Sequence, residues 1–346
     1  MTAKSNHNPL KTLLTIVISI GFAGLFMWLA VKGLDLESIK QSLAKANYFW
    51  VAVAAFFGVL AYWVRAIRWN LLLEPMGYTV SNANALWTLS FGYLMNLTIP
   101  RSGEVARATA LYGVEKVPVD KSFGTIILER VVDLVCMGLF LALTLLFKYD
   151  AILSFYKMAS EQKQEQQSLQ EGNSYSMIIS LVLLMLGALA LILFRKKIQQ
   201  TTIYQKVISF IKGIIDGLKT IFQIRQRLKF ILLSLGIWVC YYLAAYLVCF
   251  ALPETSNLGI ADGFFIIVVG TLGMMVPASG GIGAFHFALK MGFMALFLSF
   301  GSSPEKGGEV GLSYAFISHT MQLVIMLVMG LIAIPMLAKA KKIAFK

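Results

Sequence analysis

Apolar residues fall in runs of membrane-spanning length from one end of the chain to the other. Six runs are long enough to cross a bilayer: roughly 13–31, 48–69, 122–147, 176–194, 228–251 and 311–337. Four more, about 83–99, 103–113, 263–276 and 284–300, are short or interrupted. They form two pairs, each joined at a Pro-x-Ser-Gly step. The first step is Pro100-Arg101-Ser102-Gly103 and the second is Pro277-Ala278-Ser279-Gly280. Proline ends a helix, and glycine supplies backbone conformations that other residues avoid. The pattern predicts an all-α polytopic membrane protein with about six full spans and two Pro/Gly-broken helical hairpins, either re-entrant or built of paired spans.

Composition agrees. The chain is 58% hydrophobic and 14% charged, against about one quarter charged in soluble domains. No long soluble segment remains between the runs, which excludes an appended catalytic or DNA-binding domain within this sequence. The first apolar run is too long for a signal-peptide core and reads as a retained span. Cys136, Cys240 and Cys249 lie inside apolar runs and read as packing residues without disulfide or metal spacing.

The formal net charge is +13. Basic residues in a membrane protein collect on cytoplasmic loops, so this charge implies topology and no nucleic-acid partner. Segment 195–229 carries nine Lys and Arg against the single acid Asp216, and the tail carries Lys339, Lys341, Lys342 and Lys346. Both are expected on the cytoplasmic side, as is the N-terminus. Segment 148–175 is mixed in sign and reads as an external loop. Parity then makes the first broken hairpin begin and end inside and the second begin and end outside. Two inverted-topology repeats follow: a first over 1–147, and after the loop a second over 176–337, with a basic cytoplasmic tail at 338–346. Pro100, Ser102 and Gly103 match Pro277, Ser279 and Gly280 under one shift. Residues 203–222 place Ile203, Val207, Phe210, Ile211, Ile214, Leu218 and Ile221 on one helical face, as in an amphipathic helix on the inner surface.

Ionisable side chains inside apolar segments are expensive, so each needs a reason. Arg65 and Arg68 lie at the inner end of the second span. Arg101, Glu104 and Arg107 follow the first break, and Glu129, Arg130 and Asp133 open the 122–147 span. Five arginines face three acids, which leaves positive charge. A guanidinium matches phosphate oxygens, and a half-helix starting near Ser102 aims its N–H groups into the membrane. Together with Asn96, these residues suit an anionic headgroup, most simply a lipid phosphate. The bland alternatives are headgroup anchors for Arg65 and Arg68 and a helix-locking ion-pair network for Glu129, Arg130 and Asp133. The second break is rich in glycine, with Gly280, Gly281 and Gly283 allowing close approach. His286 and Lys290 share a face just beyond it, and His319 lies three residues before Gln322. The two histidines lack a third metal ligand at suitable spacing. No motif for a cofactor or for hydrolytic or nucleotide chemistry occurs.

These motifs in order resemble the lysylphosphatidylglycerol synthase transmembrane-region family, also called flippase-like membrane proteins. The resemblance rests on Arg65-Ala66-Ile67-Arg68-Trp69, on Asn96 through Arg107, on Glu129-Arg130-Val131-Val132-Asp133, and on Pro277 with Gly280-Gly281-Ile282-Gly283. In larger members a membrane flippase region is fused to a soluble aminoacyl-transferase domain. The resemblance implies lipid translocation without lipid aminoacylation. Many members carry Glu shortly after the glycine-rich break, where His286 stands here. The expected function is translocation of an anionic phospholipid or lipid-linked headgroup across a bacterial cytoplasmic membrane. Alternatives are a membrane-embedded lipid-modifying enzyme, an ion or small-anion transporter, and a scaffold. Arg101→Ala and Glu129→Ala are both expected to abolish transport while leaving the fold intact.

Overall fold

A computed structural model describes residues 36–99, 101–168, 221–276 and 278–344, with a few positions between 17 and 32. The expected spans 13–31 and 176–194, the amphipathic helix 203–222, and Pro100 and Pro277 lie wholly or mostly outside the described residues. Every regular element among the described residues is helical.

A short helix, α1 (Leu36–Lys45), precedes the long α2 (Tyr48–Leu73). The first broken pair is α3 (Asn82–Thr98) and α4 (Gly103–Glu115), followed by the long α5 (Val119–Phe147). After α6 (Tyr149–Ser168), the second half has α7 (Arg227–Val248), the broken pair α8 (Ile260–Met275) and α9 (Ala284–Ser299), and α10 (Pro304–Ala344). Long helix, broken pair, long helix thus occurs twice in the same order.

Local chemistry sets the boundaries. Asn47 and Ser81 accept hydrogen bonds from the first-turn N–H groups of Phe49 and Asn84, capping α2 and α3. Each broken pair ends its first helix at the residue before proline. Ile99 (φ −130°, ψ 118°) and Val276 (φ −65°, ψ 135°) both leave the helical region, as the following ring requires.

Five helices among the described residues are long and apolar enough to cross a membrane: Tyr48–Met76, Val119–Phe147, Arg227–Ala251, Ser279–Ser299 and Pro304–Lys342. Four match expected spans. The fourth differs: a 3₁₀ turn at Ser279–Gly281 extends the 284–300 segment, expected to be short, to spanning length. The 41-residue α10 is roughly 60 Å long at 1.5 Å per residue. That is twice the ~30 Å apolar layer, so it projects beyond it. The loop expected over 148–175 carries a helix. Its Gln, Glu, Lys and Ala residues favour helix, and buried Ala151 anchors its first turn in the core while α6 packs along α9.

The core lies where α2 packs on α7 and where α10 packs on α3 and α9. Ala54, Ala66, Trp69, Leu89, Leu289 and Tyr314 belong to it. Leu134, Val135 and Leu146 of α5 and Leu228, Ile231 and Leu232 of α7 are exposed. Outward apolar faces of this kind are what lipid requires.

Candidate functional site

The first break is built by side chains as much as by proline. The Ser102 hydroxyl donates back to the carbonyl oxygens of Met95 and Ile99, occupying acceptors at the end of α3. Asn96 Oδ1 accepts from the Gly103 N–H at 2.7 Å. The expected set of free N–H groups at the start of α4 is therefore smaller by one. Gly103 sits so close to Gly92 and Asn96 that a Cβ would collide with both. Between the helices Arg101 takes φ 59°, a left-handed conformation for a non-glycine residue.

At the second break Gly280, Gly281 and Gly283 all have positive φ, which explains the glycine-rich run. The two breaks meet. Arg101 Nη2 donates to the Met275 carbonyl at 3.0 Å, and a Cβ on Gly280 would press on Leu97 of α3. Residues 174 positions apart thus share one junction.

Beside this junction the charged side chains form two layers. The deeper one joins α2, α4 and α5. Arg68 reaches Glu129 at 3.3 Å and Asp133 at 2.9 Å, while Arg107 reaches Glu129 at 2.7 Å. The Arg107 guanidinium lies 3.5 Å from the centre of the Trp69 ring, and Trp69 Nε1 donates to Thr125 Oγ1 at 2.9 Å. Ser234 of α7 accepts a longer bond from Arg68. Arg68, Arg107 and Glu129 are buried.

The second layer borders a cavity of about 780 Å³. Arg65 pairs with Asp133 at 2.6 Å, and the half-exposed Arg130 pairs with Glu104 at 3.2 Å. Arg65, Arg101, Glu104, Arg130 and Asp133 line this cavity, and Ile266, Met321 and Ile325 contribute apolar wall. Three guanidinium groups against two carboxylates leave one positive charge on the lining.

The structure therefore divides the sequence-predicted residues. Arg65, Asn96, Arg101, Glu104, Arg130, Asp133, Gly280 and Gly281 line the cavity. Arg68, Ser102, Gly103, Arg107, Glu129, Ser279, Gly283 and His286 do not. Pro100 and Pro277 lie outside the described residues. His286 is buried with its ring centroid 4.9 Å from that of His319. His319 Nε2 donates to the Gly280 carbonyl at 2.8 Å, so it braces the second break. Tyr62, Tyr93, Tyr241 and Gln322 also line the cavity. None of the three tyrosines stands out in the sequence, and Gln322 does so only by its spacing from His319. A tyrosine within an apolar span has the same pattern whether its hydroxyl faces a cavity or packs against a helix.

The lysylphosphatidylglycerol synthase TM region family matches residues 16–340. The chain belongs to that family. It is thereby a multi-pass membrane protein, in agreement with its apolar helices. Among curated relatives, it is 29% identical over 122 residues to the UPF0104 membrane protein MJ1595 of Methanocaldococcus jannaschii, covering 34% of this chain and 36% of that one. It is 23% identical over 304 residues to the glycosyltransferase AglD of Haloferax volcanii, covering 81% of this chain and 49% of that one. The matches thus span about a third and about half of the lengths of these relatives. No solved structure matches the chain.

Proposed function

We propose that the protein is a flippase-like transporter that moves an anionic lipid headgroup, phospholipid or lipid-linked, across a cytoplasmic membrane. The observation that carries this reading is the cavity at the junction of the two breaks, with its net positive lining. Its volume lies in the ~300–1,000 Å³ range of small-molecule sites. That suits a headgroup whose chains stay in the lipid. Discontinuous helices meeting at a cavity within apolar segments are a recurrent transporter architecture. Family membership supports the same class.

In this reading Arg101 is the principal anion contact. Its one hydrogen bond goes to a backbone carbonyl, and it makes no ion pair with a described carboxylate. Arg65, Arg130, Glu104 and Asp133 shape the charged wall. Arg68, Arg107 and Glu129 hold that wall in place from behind, which retains part of the ion-pair-network alternative. The repeated element order fits two inverted halves that rock about the junction. Acid–base chemistry on the lipid is disfavoured because Glu104 and Asp133 are ion-paired.

The test is translocation of headgroup-labelled anionic lipid in vesicles holding the purified protein. Wild type is expected to equilibrate label between leaflets, and Arg101→Ala to lose most of that rate while retaining its melting temperature in detergent. Equal rates in vesicles with and without protein would overturn the reading. Lipid turnover in detergent would instead support an enzyme, and flux of a small anion without lipid movement would support an ion pathway.

A further inference from the structure

The geometry points to a phosphodiester-linked, uncharged polyhydroxyl headgroup, such as a glycerol, inositol or sugar phosphate on a lipid, as the ligand class of the cavity. This rests on the reading of that cavity as a headgroup site.

Two features of the lining narrow the chemistry. The first is charge. Arg65, Arg101 and Arg130 outnumber Glu104 and Asp133 on the lining, and Arg68 and Arg107 behind it share Glu129 and Asp133, so the site carries excess positive charge and favours a phosphate. A headgroup that also carries an ammonium would bring its cation against arginines whose carboxylate partners are already engaged.

The second feature is a set of unused neutral hydrogen-bonding groups. Tyr62, Tyr93 and Tyr241 all line the cavity, with the Tyr62 and Tyr93 ring centroids 4.7 Å apart and Tyr241 5.8 Å from the Arg65 guanidinium. Their hydroxyls have no hydrogen-bond partner among the described residues, and none is sealed from the cavity. The Gln322 amide is in the same position, and Asn96 spends its oxygen on Gly103 while its amide N–H₂ remains available. Tyrosine hydroxyls within reach of a carbonyl are used: Tyr314, also on the cavity lining, donates to Ala245, and away from it Tyr242 and Tyr246 donate to Ile260 and Leu258. A cavity that collects neutral donors and acceptors with nothing to satisfy them is complementary to a ligand with several hydroxyls. It also discriminates, because an analogue lacking those hydroxyls leaves the protein groups without those partners.

The experiment measures competitive binding to the purified full chain in detergent micelles. The probes are phosphatidylglycerol, a polyprenyl-phosphoryl hexose, phosphatidic acid, phosphatidylethanolamine, lysyl-phosphatidylglycerol and a hexosyl diacylglycerol without phosphate. Phosphatidylglycerol, the polyprenyl-phosphoryl hexose or both are expected to bind at least tenfold more tightly than the other four; which of them wins tells a glycerophospholipid from a lipid-linked sugar. Tyr93→Phe and Tyr241→Phe keep the rings and are each expected to weaken that binding about three- to tenfold, with phosphatidic acid unaffected. Should either variant fail to accumulate, Tyr62→Phe and Gln322→Met carry the same expectation. Equal affinity for all six probes, or hydroxyl deletions that weaken all of them alike, would overturn the assignment. Selective binding without translocation in vesicles would reject the transporter and keep the ligand class. Translocation without selectivity would keep the transporter and reject the class.

Discussion

Glu129 is 1% exposed and faces two guanidinium groups, whereas Arg101 is exposed and holds a backbone carbonyl. Equal treatment of the two in mutagenesis therefore gives way to opposite expectations. Glu129→Ala leaves Arg107 buried with only the Trp69 face beside it. Removing one partner of a buried ion pair costs about 3–5 kcal/mol, so this variant is expected to melt far below wild type in detergent or fail to accumulate. A wild-type melting curve for Glu129→Ala would mean that the deeper layer is not structural. Arg101 behaves otherwise because its left-handed backbone costs a non-glycine residue roughly 1 kcal/mol. Arg101→Gly relieves that strain while losing a single partly exposed hydrogen bond. It is expected to keep or slightly raise the melting temperature and to lose translocation as Arg101→Ala does. A melting temperature lowered by many degrees would show that the Met275 contact holds the fold.

The broken hairpins were legible at the scale of elements because their signals are local. Proline and the residue before it fix where α3 and α8 stop, and clustered glycine marks a turn needing positive φ. The pairing of Arg65 or Arg68 with Asp133 was not legible. It joins positions 68 and 65 residues apart on different helices, and helical spacing speaks only to neighbours on one helix. The same limit hid the cavity tyrosines and the contact between breaks. The helix over Tyr149–Ser168 was missed because mixed charge reads as loop when the buried face is as narrow as Ala151 and Ile152. Within the first hairpin, one residue controls the approach of its two helices. A Cβ on Gly103 meets the Gly92 carbonyl and the Asn96 side chain, with no flexible apolar neighbour to yield. Gly103→Ala is expected to destabilise the protein by about 1–3 kcal/mol through overpacking, read as a lowered melting temperature. It also displaces Asn96 from its bond to the Gly103 N–H, so anionic lipid binding should fall with stability. Unchanged melting would mean that α3 and α4 separate without penalty.

For the whole molecule, the junction of the breaks limits how the halves can move. The cavity takes walls from both broken pairs, and the direct link between them is the Arg101 to Met275 contact beside the Leu97 to Gly280 packing. Away from this junction, Lys148 at the end of α5 pairs with Asp262 in the first turn of α8 at 2.5 Å and lies over the Phe300 ring. This link adds to the core packing of α2 on α7 and of α3 on α10, which also joins the first half to the second. If the halves rock about a central site, the junction must open or shear in each cycle, because a headgroup cannot pass a wall closed on both sides. Covalent closure should then stop transport without harming binding from the accessible side. The Arg101 side chain itself bridges the gap to Met275, so a bifunctional thiol reagent of similar length is the suitable clamp. In Arg101→Cys/Met275→Cys, with Cys136, Cys240 and Cys249 replaced, loss of Arg101 lowers the starting rate, so a paired Val105→Cys/Met275→Cys variant that retains Arg101 supplies the stronger comparison; both positions line the cavity. Crosslinking is expected to abolish the remaining translocation, while singly modified controls keep it. Full transport by a quantitatively crosslinked protein would show that the two breaks form a static wall and that the lipid follows another path.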